Sequence, residues 1–318
     1  MSDVDRVLVL AGGLAYEREV SLHSGRRVAD ALHSAGVEAT LADTGPGLLA
    51  TLADDPPDAV FIALHGGAGE DGSLRGVLEL LGVPFVGAGS AASRLAYDKP
   101  SAKAAVTRAG LAGAAGVVLA HTTFRELGAH ALLDRLVAGL GVPLVVKPAQ
   151  GGSSMGATVV REAAALPGAL ATCYSYAETA LVERYVEGTE IAVGVVDTGS
   201  GPRPLPAVEV VPRGGLYDYV AHYTAGQTDF HVPARLPEGI QDRAAAAAVT
   251  AHQALGLRDL SRTDLIVTAA GEVVFLEVSV SPGLTETSTL PLAAQAEGLD
   301  LGALYRDLLQ QATRRRPR

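Results

Sequence analysis

Short apolar runs closed by Gly, Pro or Asp alternate, over roughly the first hundred positions, with stretches in which apolar residues recur at helical spacing. Arg6 to Leu10 is one such run, ending in Ala11-Gly12-Gly13, and Val20, Val28, Ala29 and Leu32 mark the helix that follows. Asp58 to Leu64 is a second run, apolar throughout, as expected of a parallel strand covered on both faces. Leu74, Val77, Leu78 and Leu81 mark the next helix, and Pro84 to Val86 a third strand. This alternation predicts a doubly wound N-terminal unit over 1–98.

From Lys99 the texture changes. The pattern predicts a helix with Pro100 in its first turn, a strand at Gly116 to Leu119, a helix from Thr122 to Leu140 and a strand from Val142 to Lys147. The loop Pro148-Ala149-Gln150-Gly151-Gly152-Ser153-Ser154-Met155-Gly156 then leads into a strand at Ala157 to Val160. Strand, Gly/Ser loop, strand fits neither a P-loop, which opens a helix after Gly-Lys-Ser/Thr, nor a GxGxxG turn; it reads as a β-hairpin flap over phosphates. The remainder reads as strands at Ala180 to Arg184, Glu190 to Val196, Ala207 to Val211, Asp264 to Val267 and Val273 to Val278, with a helix near Ile240 to Leu257. Gly214 to Pro233, long, polar and aromatic, reads as a functional loop or lid. The expected class is α/β in three units, 1–98, 99–182 and 183–318, with the flap in the second and the lid and a metal site in the third.

Composition narrows the function. At 318 residues the chain exceeds the ~100–200 of one ordinary domain, so a cleft between units is expected. No apolar run approaches the ~18–20 residues of a membrane span and the N-terminus is acidic, so a cytoplasmic protein without a membrane partner is expected. A net charge of −10 argues against nucleic acid, and Arg314, Arg315, Arg316 and Arg318 read as a solvated basic end. The single Cys173 excludes an internal disulfide and reads as a buried spacer in a helix. Because the chain is acidic, any anionic substrate must be held by placed cations, loop N–H groups and metal ions.

Asp264 and Glu277, on strands thirteen residues apart, form a hard-oxygen pair suited to Mg²⁺. Lys147 ends a strand just before the Gly/Ser loop, where its ammonium can meet phosphate oxygens. His65 lies at the C-terminal end of a strand, the end at which open α/β sheets bind ligands. Strand-end surface acids, a solvated lysine and a structural histidine are the plain alternatives for these residues.

Taken together the stretches resemble the D-alanine-D-alanine ligases of the ATP-grasp superfamily over nearly the whole chain. The resemblance is carried by Gly12-Gly13-Leu14-Ala15-Tyr16-Glu17-Arg18-Glu19-Val20-Ser21, Ala63-Leu64-His65-Gly66 with Gly69-Glu70-Asp71-Gly72, Asp98-Lys99, Val146-Lys147-Pro148, Gly152-Ser153-Ser154-Met155-Gly156, Tyr217-Asp218-Tyr219, Arg262-Thr263-Asp264 and Glu277 to Gly283. It implies an ATP-grasp fold that joins two D-alanines through an acyl-phosphate for peptidoglycan precursors, working as a homodimer on ATP and amino acids.

By position, the resemblance implies that Lys99, Lys147, Gly152, Ser153 and Ser154 hold ATP phosphates. Glu183, Arg184, Tyr185, Val186 and Leu276 would line the base, with Glu190 on the ribose. Glu17, Val20, His65 and Ser153 would hold the first D-alanine under a lid of Tyr217, His222 and Tyr223; Arg262 and Gly283 would face the reacting carbon, and Ser288 and Thr289 the second substrate. Asp264, Glu277 and Ser279 would hold two Mg²⁺ ions, with Mn²⁺ as an alternative.

Three positions depart from the family pattern. Glu277-Val278-Ser279 stands where Glu-x-Asn is usual, which bears on the second ion; His222 replaces a lid lysine; and Thr289 stands where Leu is common. These departures motivate two alternatives: a related D-amino-acid or dipeptide ligase of a specialised or self-resistance pathway with a changed second substrate, and a non-catalytic nucleotide-binding paralogue.

Overall fold

The computed structural model describes residues 4–214 and 226–315. The first sheet is parallel, in the order β2-β1-β3-β4, from β1 (Arg6–Leu10), β2 (Glu38–Ala42), β3 (Ala59–Ile62) and β4 (Phe85–Val86). Helix α1 (Arg18–Ser34) buries Val28, Ala29 and Leu32 against it. Three elements here, β2, α2 (Leu48–Asp54) and α4 (Ser90–Tyr97), were not expected; β2 hides because only one of its five residues is buried, leaving no apolar run to read. Helix α3 (Ser73–Leu81) lies between them in the chain and follows its expected pattern.

Helix α5 (Lys99–Arg108) starts at Asp98, whose side chain accepts from the Ser101 N–H, and carries Pro in its first turn. Strand β5 (Ala112–Gly113) follows it, then the second sheet, order β6-β9-β7-β8: β6 (Gly116–Ala120), β7 (Leu144–Pro148), β8 (Thr158–Val160) and β9 (Thr179–Arg184). The single helix expected over 122–140 is two, α6 (His121–Leu127) and α7 (Ala129–Leu140), because Gly128 at φ 82° leaves helical geometry. Strand β7 alternates, with Leu144 and Val146 in a core that also takes Cys173 from α8 (Leu166–Tyr174). Val145 and Lys147 thereby face the opposite side, towards a large cavity.

The third sheet orders β13-β12-β10-β14-β15-β5, with β11 (Arg203–Pro204) beside β10. Its long strands are β10 (Thr189–Val196), β12 (Val208–Pro212), β13 (Thr228–His231), β14 (Leu260–Val267) and β15 (Val273–Ser279). One face packs on α9 (Glu238–Ala254), joining Ile191, Leu265 and Phe275 to Ala244 and Ala248.

Several expectations need correction. Residues 228–231, read as loop, are a strand paired with β12. Asp264 is not at a strand start but fifth of eight residues in β14, and Glu277 lies two residues before the end of β15. Strand pairing also runs across the expected boundaries: β5 pairs with β15, and β9 extends through 183 and 184 inside the second sheet. After α10 (Thr289–Ala296), helix α11 (Leu301–Arg314) docks Leu304 and Leu308 in the core of the first sheet, so the chain's end returns to its beginning. No helix among the described residues is long and apolar enough to cross a membrane. The lid positions Tyr217, His222 and Tyr223 lie outside the described residues.

Candidate active site

The register of two antiparallel strands builds the centre. In β14 and β15, Asp264 stands opposite Glu277 and Arg262 opposite Ser279, with the register shifting just beyond Asp264. Alternation puts these four side chains on one face of the sheet, while Thr263 and Leu265 are buried on the other. On the other flank of β14, Glu190 stands opposite Ile266, on the same face. Arg262 grips Asp264 as a fork, its Nε donating to Oδ1 at 2.8 Å and its Nη2 to Oδ2 at 2.7 Å.

A cavity of about 420 Å³ opens between this face and the second sheet. Lys99, Lys147, Gly152, Ser154, Glu183, Arg184, Tyr185, Val186, Glu190, Leu276 and Glu277 line it, as does Asp264. Lys99 donates to the Gly151 carbonyl at 2.5 Å and lies 3.6 Å from Glu277, and Lys147 lies 3.1 Å from Glu183. That last pair follows from β7 and β9, where Val145 faces Glu183 and Lys147 is its diagonal neighbour. Cations and carboxylates are thus held at close quarters away from bulk water. Burial, reinforced by Asp264 and Glu277, pushes Glu190 up to about 7. Burial also raises Asp264, against the pull of Arg262.

Two smaller cavities adjoin the first. One, about 50 Å³, is lined by His65, Glu70, Ser153, Arg262, Ser279 and Gly283 among others, and shares Lys99 and Glu277 with the large one. The other, about 30 Å³, is lined by Glu190, Arg262, Asp264, Gly283, Ser288 and Thr289. Arg262 and Gly283 stand at both, so the three form one cleft with the guanidinium at its junction.

Loops of the first sheet supply the remaining groups. Ser153, in the flap at φ 55°, donates to Glu17 Oε1 at 3.0 Å, linking flap to N-terminal loop. Gly66 makes room for that carboxylate, since a Cβ there would stand 2.3 Å from Glu17 Oε2. The Gly66 N–H donates to Glu70 at 3.0 Å, and burial raises the Glu70 carboxyl. His65 is buried between Ser24 Oγ, 2.8 Å from its Nε2, and the Ser281 carbonyl, 3.0 Å from its Nδ1. Burial pushes it down to about 4, so it is neutral, its Nδ1–H donating to the carbonyl and its Nε2 accepting from Ser24. Val20, expected at the substrate, is buried in α1 and lines none of the three cavities.

Ser288 stands at the N-terminal boundary of α10 without a side-chain capping bond, and its Oγ accepts from the Thr285 N–H at 3.1 Å. The neighbouring Thr289 Oγ1 is buried with no hydrogen-bond partner. Groups that sequence reasoning had assigned no role also meet here: Ser24, Glu70, Ser281 and Lys103, the last donating to Glu183. Lys103 had a readable signal, its position one helical turn after Lys99; Glu70 is held locally by the Gly66 N–H, and only Ser24 and Ser281 depend on contacts between distant segments.

For a metal, Asp264, Glu277 and Ser279 offer two carboxylates and a hydroxyl on one face. Among the described residues no group of three or more His, Cys, Asp or Glu is arranged to hold an ion. Asp264, whose two oxygens are taken by Arg262, could with Glu277 and Ser279 hold a hard cation such as Mg²⁺ only if a bound molecule supplied further oxygen ligands.

Residues 106–310 match the family model described as D-ala D-ala ligase C-terminus, and residues 44–88 that of the D-ala D-ala ligase N-terminus. The chain is 43% identical over 296 residues to the D-alanine–D-alanine ligase of Pelobacter propionicus, covering 93% of this chain and 91% of that one. To that of Geobacter sulfurreducens it is 40% identical over 306 residues, 96% and 92% of the two chains. Among solved structures it is similar to the VanG D-Ala:D-Ser ligase from Enterococcus faecalis, with a TM-score of 0.81 and 29% identity over 97% of this chain and 99% of that one. The D-alanine–D-alanine ligase from Bacillus anthracis complexed with ATP also gives a TM-score of 0.81, with 27% identity over 98% of each chain.

Proposed function

The chain belongs to the D-alanine–D-alanine ligase family, and from that premise we propose that it joins two D-alanines in an ATP-dependent, acyl-phosphate reaction serving peptidoglycan precursor synthesis. The observation that carries the reading is the shared face of Arg262, Asp264, Glu277 and Ser279, with a lysine-lined cavity on one side and the small Gly283–Ser288 cavity on the other.

In this reading ATP occupies the large cavity, its phosphates towards Lys99, Lys147 and the 151–154 loop and its adenosine towards Glu183 to Val186, Leu276 and Glu190. The first D-alanine sits near Glu17, Ser153 and His65, with its carboxylate directed at the γ-phosphoryl group. Attack by that carboxylate gives an acyl-phosphate and ADP; the amine of the second D-alanine then attacks the carbonyl carbon and phosphate leaves. Arg262 and the Gly283 N–H face the charge developing on the carbonyl oxygen. Ser288, with Thr289 beside it, takes the second carboxylate. Mg²⁺, or Mn²⁺, would be held by Asp264, Glu277 and Ser279 and would neutralise phosphate charge. Water hydrolyses an acyl-phosphate, so the flap and the lid of Tyr217, His222 and Tyr223 are assigned to exclude it. The reading places this chemistry in the cytoplasm, and the family resemblance supports a homodimer.

A second reading rests on Thr289, whose buried hydroxyl lacks a partner beside the second-substrate cavity. It favours a second amino acid bearing a hydroxyl, such as D-serine, the substrate named for the Enterococcus neighbour. Phosphate release with ATP, Mg²⁺ and a panel of D- and L-amino acids, products identified by mass, tests both. D-alanyl-D-alanine as the dominant product supports the first reading, and a strong preference for another pair overturns it.

A further inference from the structure

Lys103 leaves α5 one turn after Lys99, so both ammonium groups project from the same side of the helix. Lys99 reaches the flap carbonyl and Glu277, whereas Lys103 donates to Glu183 Oε1. The other oxygen of that carboxylate, Oε2, is already 3.1 Å from Lys147. All three side chains are shielded, Glu183 being 3% exposed and each lysine 11%.

One cation suffices to neutralise a buried carboxylate, and a second adds desolvation and like-charge repulsion. Both effects act on Lys103, where burial, and then Lys147, against the attraction of Glu183 and the more remote Glu277, lowers it to about 8. The doubled arrangement becomes useful once Lys147 has another anion to serve. Lys147 and Glu183 line the large cavity, and Lys103 does not; it stands behind the wall. Without Lys103, phosphates entering the cavity would draw Lys147 away and leave Glu183 buried, unpaired and repelling them.

We propose that Lys103 is a positioning residue for nucleotide binding: it keeps Glu183 paired and in place, so that Lys147 is free to exchange that carboxylate for a phosphate oxygen. The proposal rests on reading the large cavity as the ATP site. It assigns the three groups separate duties. Lys147 moves, Glu183 is its resting partner, and Lys103 holds the resting partner still.

Calorimetric titration of the full chain with Mg²⁺-ATP and, separately, adenosine tests it on K103M, K103R, E183Q and the double variant E183Q/K103M, each checked for folding by its thermal transition. In K103M, Glu183 retains Lys147, so ATP should weaken at least about tenfold while adenosine changes by no more than about twofold. K103R, which keeps the charge, should restore most of the ATP affinity. Once residue 183 is neutral, removing Lys103 should matter little, with E183Q/K103M within about twofold of E183Q for ATP. This last comparison also decides the matter should K103M fail to fold. Equal ATP affinity in K103M and the wild type, proportionate loss of ATP and adenosine, or a large further loss from E183Q to E183Q/K103M would each overturn the proposal alone. A wild-type protein that binds neither ATP nor adenosine would instead overturn the reading of the cavity.

Discussion

His65 gives the most direct test of how the first sheet is joined to the loop after β15. The ring is 4% exposed and hydrogen-bonded on both nitrogens, to Ser24 on α1 and to the Ser281 carbonyl, 216 residues away in the chain. Protonation would force Nε2 to donate where it now accepts and would place a charge in a dry site beside Arg262. The displacement from 6.5 in the unfolded chain to about 4 in the folded one corresponds to about 3 kcal/mol. Because the folded value is the lower one, this stability is fully present above pH 6.5 and is lost as the pH falls through about 4. In His65→Gln the amide can still donate to Ser281 and accept from Ser24, but it does not titrate. Urea unfolding of both proteins from pH 7 to 4 should therefore show the wild type losing about 3 kcal/mol more than the variant, most of it below pH 5.5. His252, buried and likewise lowered to about 4, cancels in the difference. A difference that stays within about 1 kcal/mol over that range, or has the opposite sign, refutes the argument that His65 is neutral because it is buried.

Other consequences are as direct. Ser153→Ala removes the hydrogen bond to Glu17 and should raise KM for the first amino acid about tenfold, the lower end for a bond to a charged group, with KM for ATP changing much less; equal effects on both substrates would contradict the assignment. Gly66→Ala sets a Cβ 2.3 Å from Glu17 at a backbone φ of +66° and should lower kcat/KM by at least about tenfold in steady-state assays; an unchanged value would show that the Glu17 carboxylate is free to move. Ser279→Asn, which supplies an amide oxygen beside Glu277, should lower the Mg²⁺ concentration giving half-maximal activity, and an unchanged titration would remove position 279 from the metal site. Asp259 is 1% exposed, accepts from the Gly87 N–H at 2.7 Å and pairs with Arg315 just beyond α11; Asp259→Ala should destabilise the protein by about 3 kcal/mol in urea unfolding. A loss below about 1 kcal/mol would show that α11 is held by its apolar face alone.

Much of the centre was legible in the chain because it is built from local rules. Strand alternation sends Lys147 to the cavity side of β7, and a two-strand turn brings Asp264 opposite Glu277. Both follow from a period of two and a short connection. The family resemblance extended that reading to residues such as Glu17 and Ser153, which are 136 positions apart and whose meeting no periodicity announces.

What remained hidden depends on long-range packing. Alternation puts Arg262 and Asp264 on one face but does not show that the guanidinium takes both carboxylate oxygens, which depends on other segments shielding that face from water. The neutrality of His65 is decided by its burial, against the Ser281 carbonyl, which favours the protonated ring, and the displacement of Glu190 by burial, to which carboxylates on β14 and β15 add. The chain by itself determined which side chains are available and which face of each element they occupy. The tertiary structure alone decided which charges are buried together, and burial sets their protonation because charged forms lose water's solvation wherever no partner replaces it.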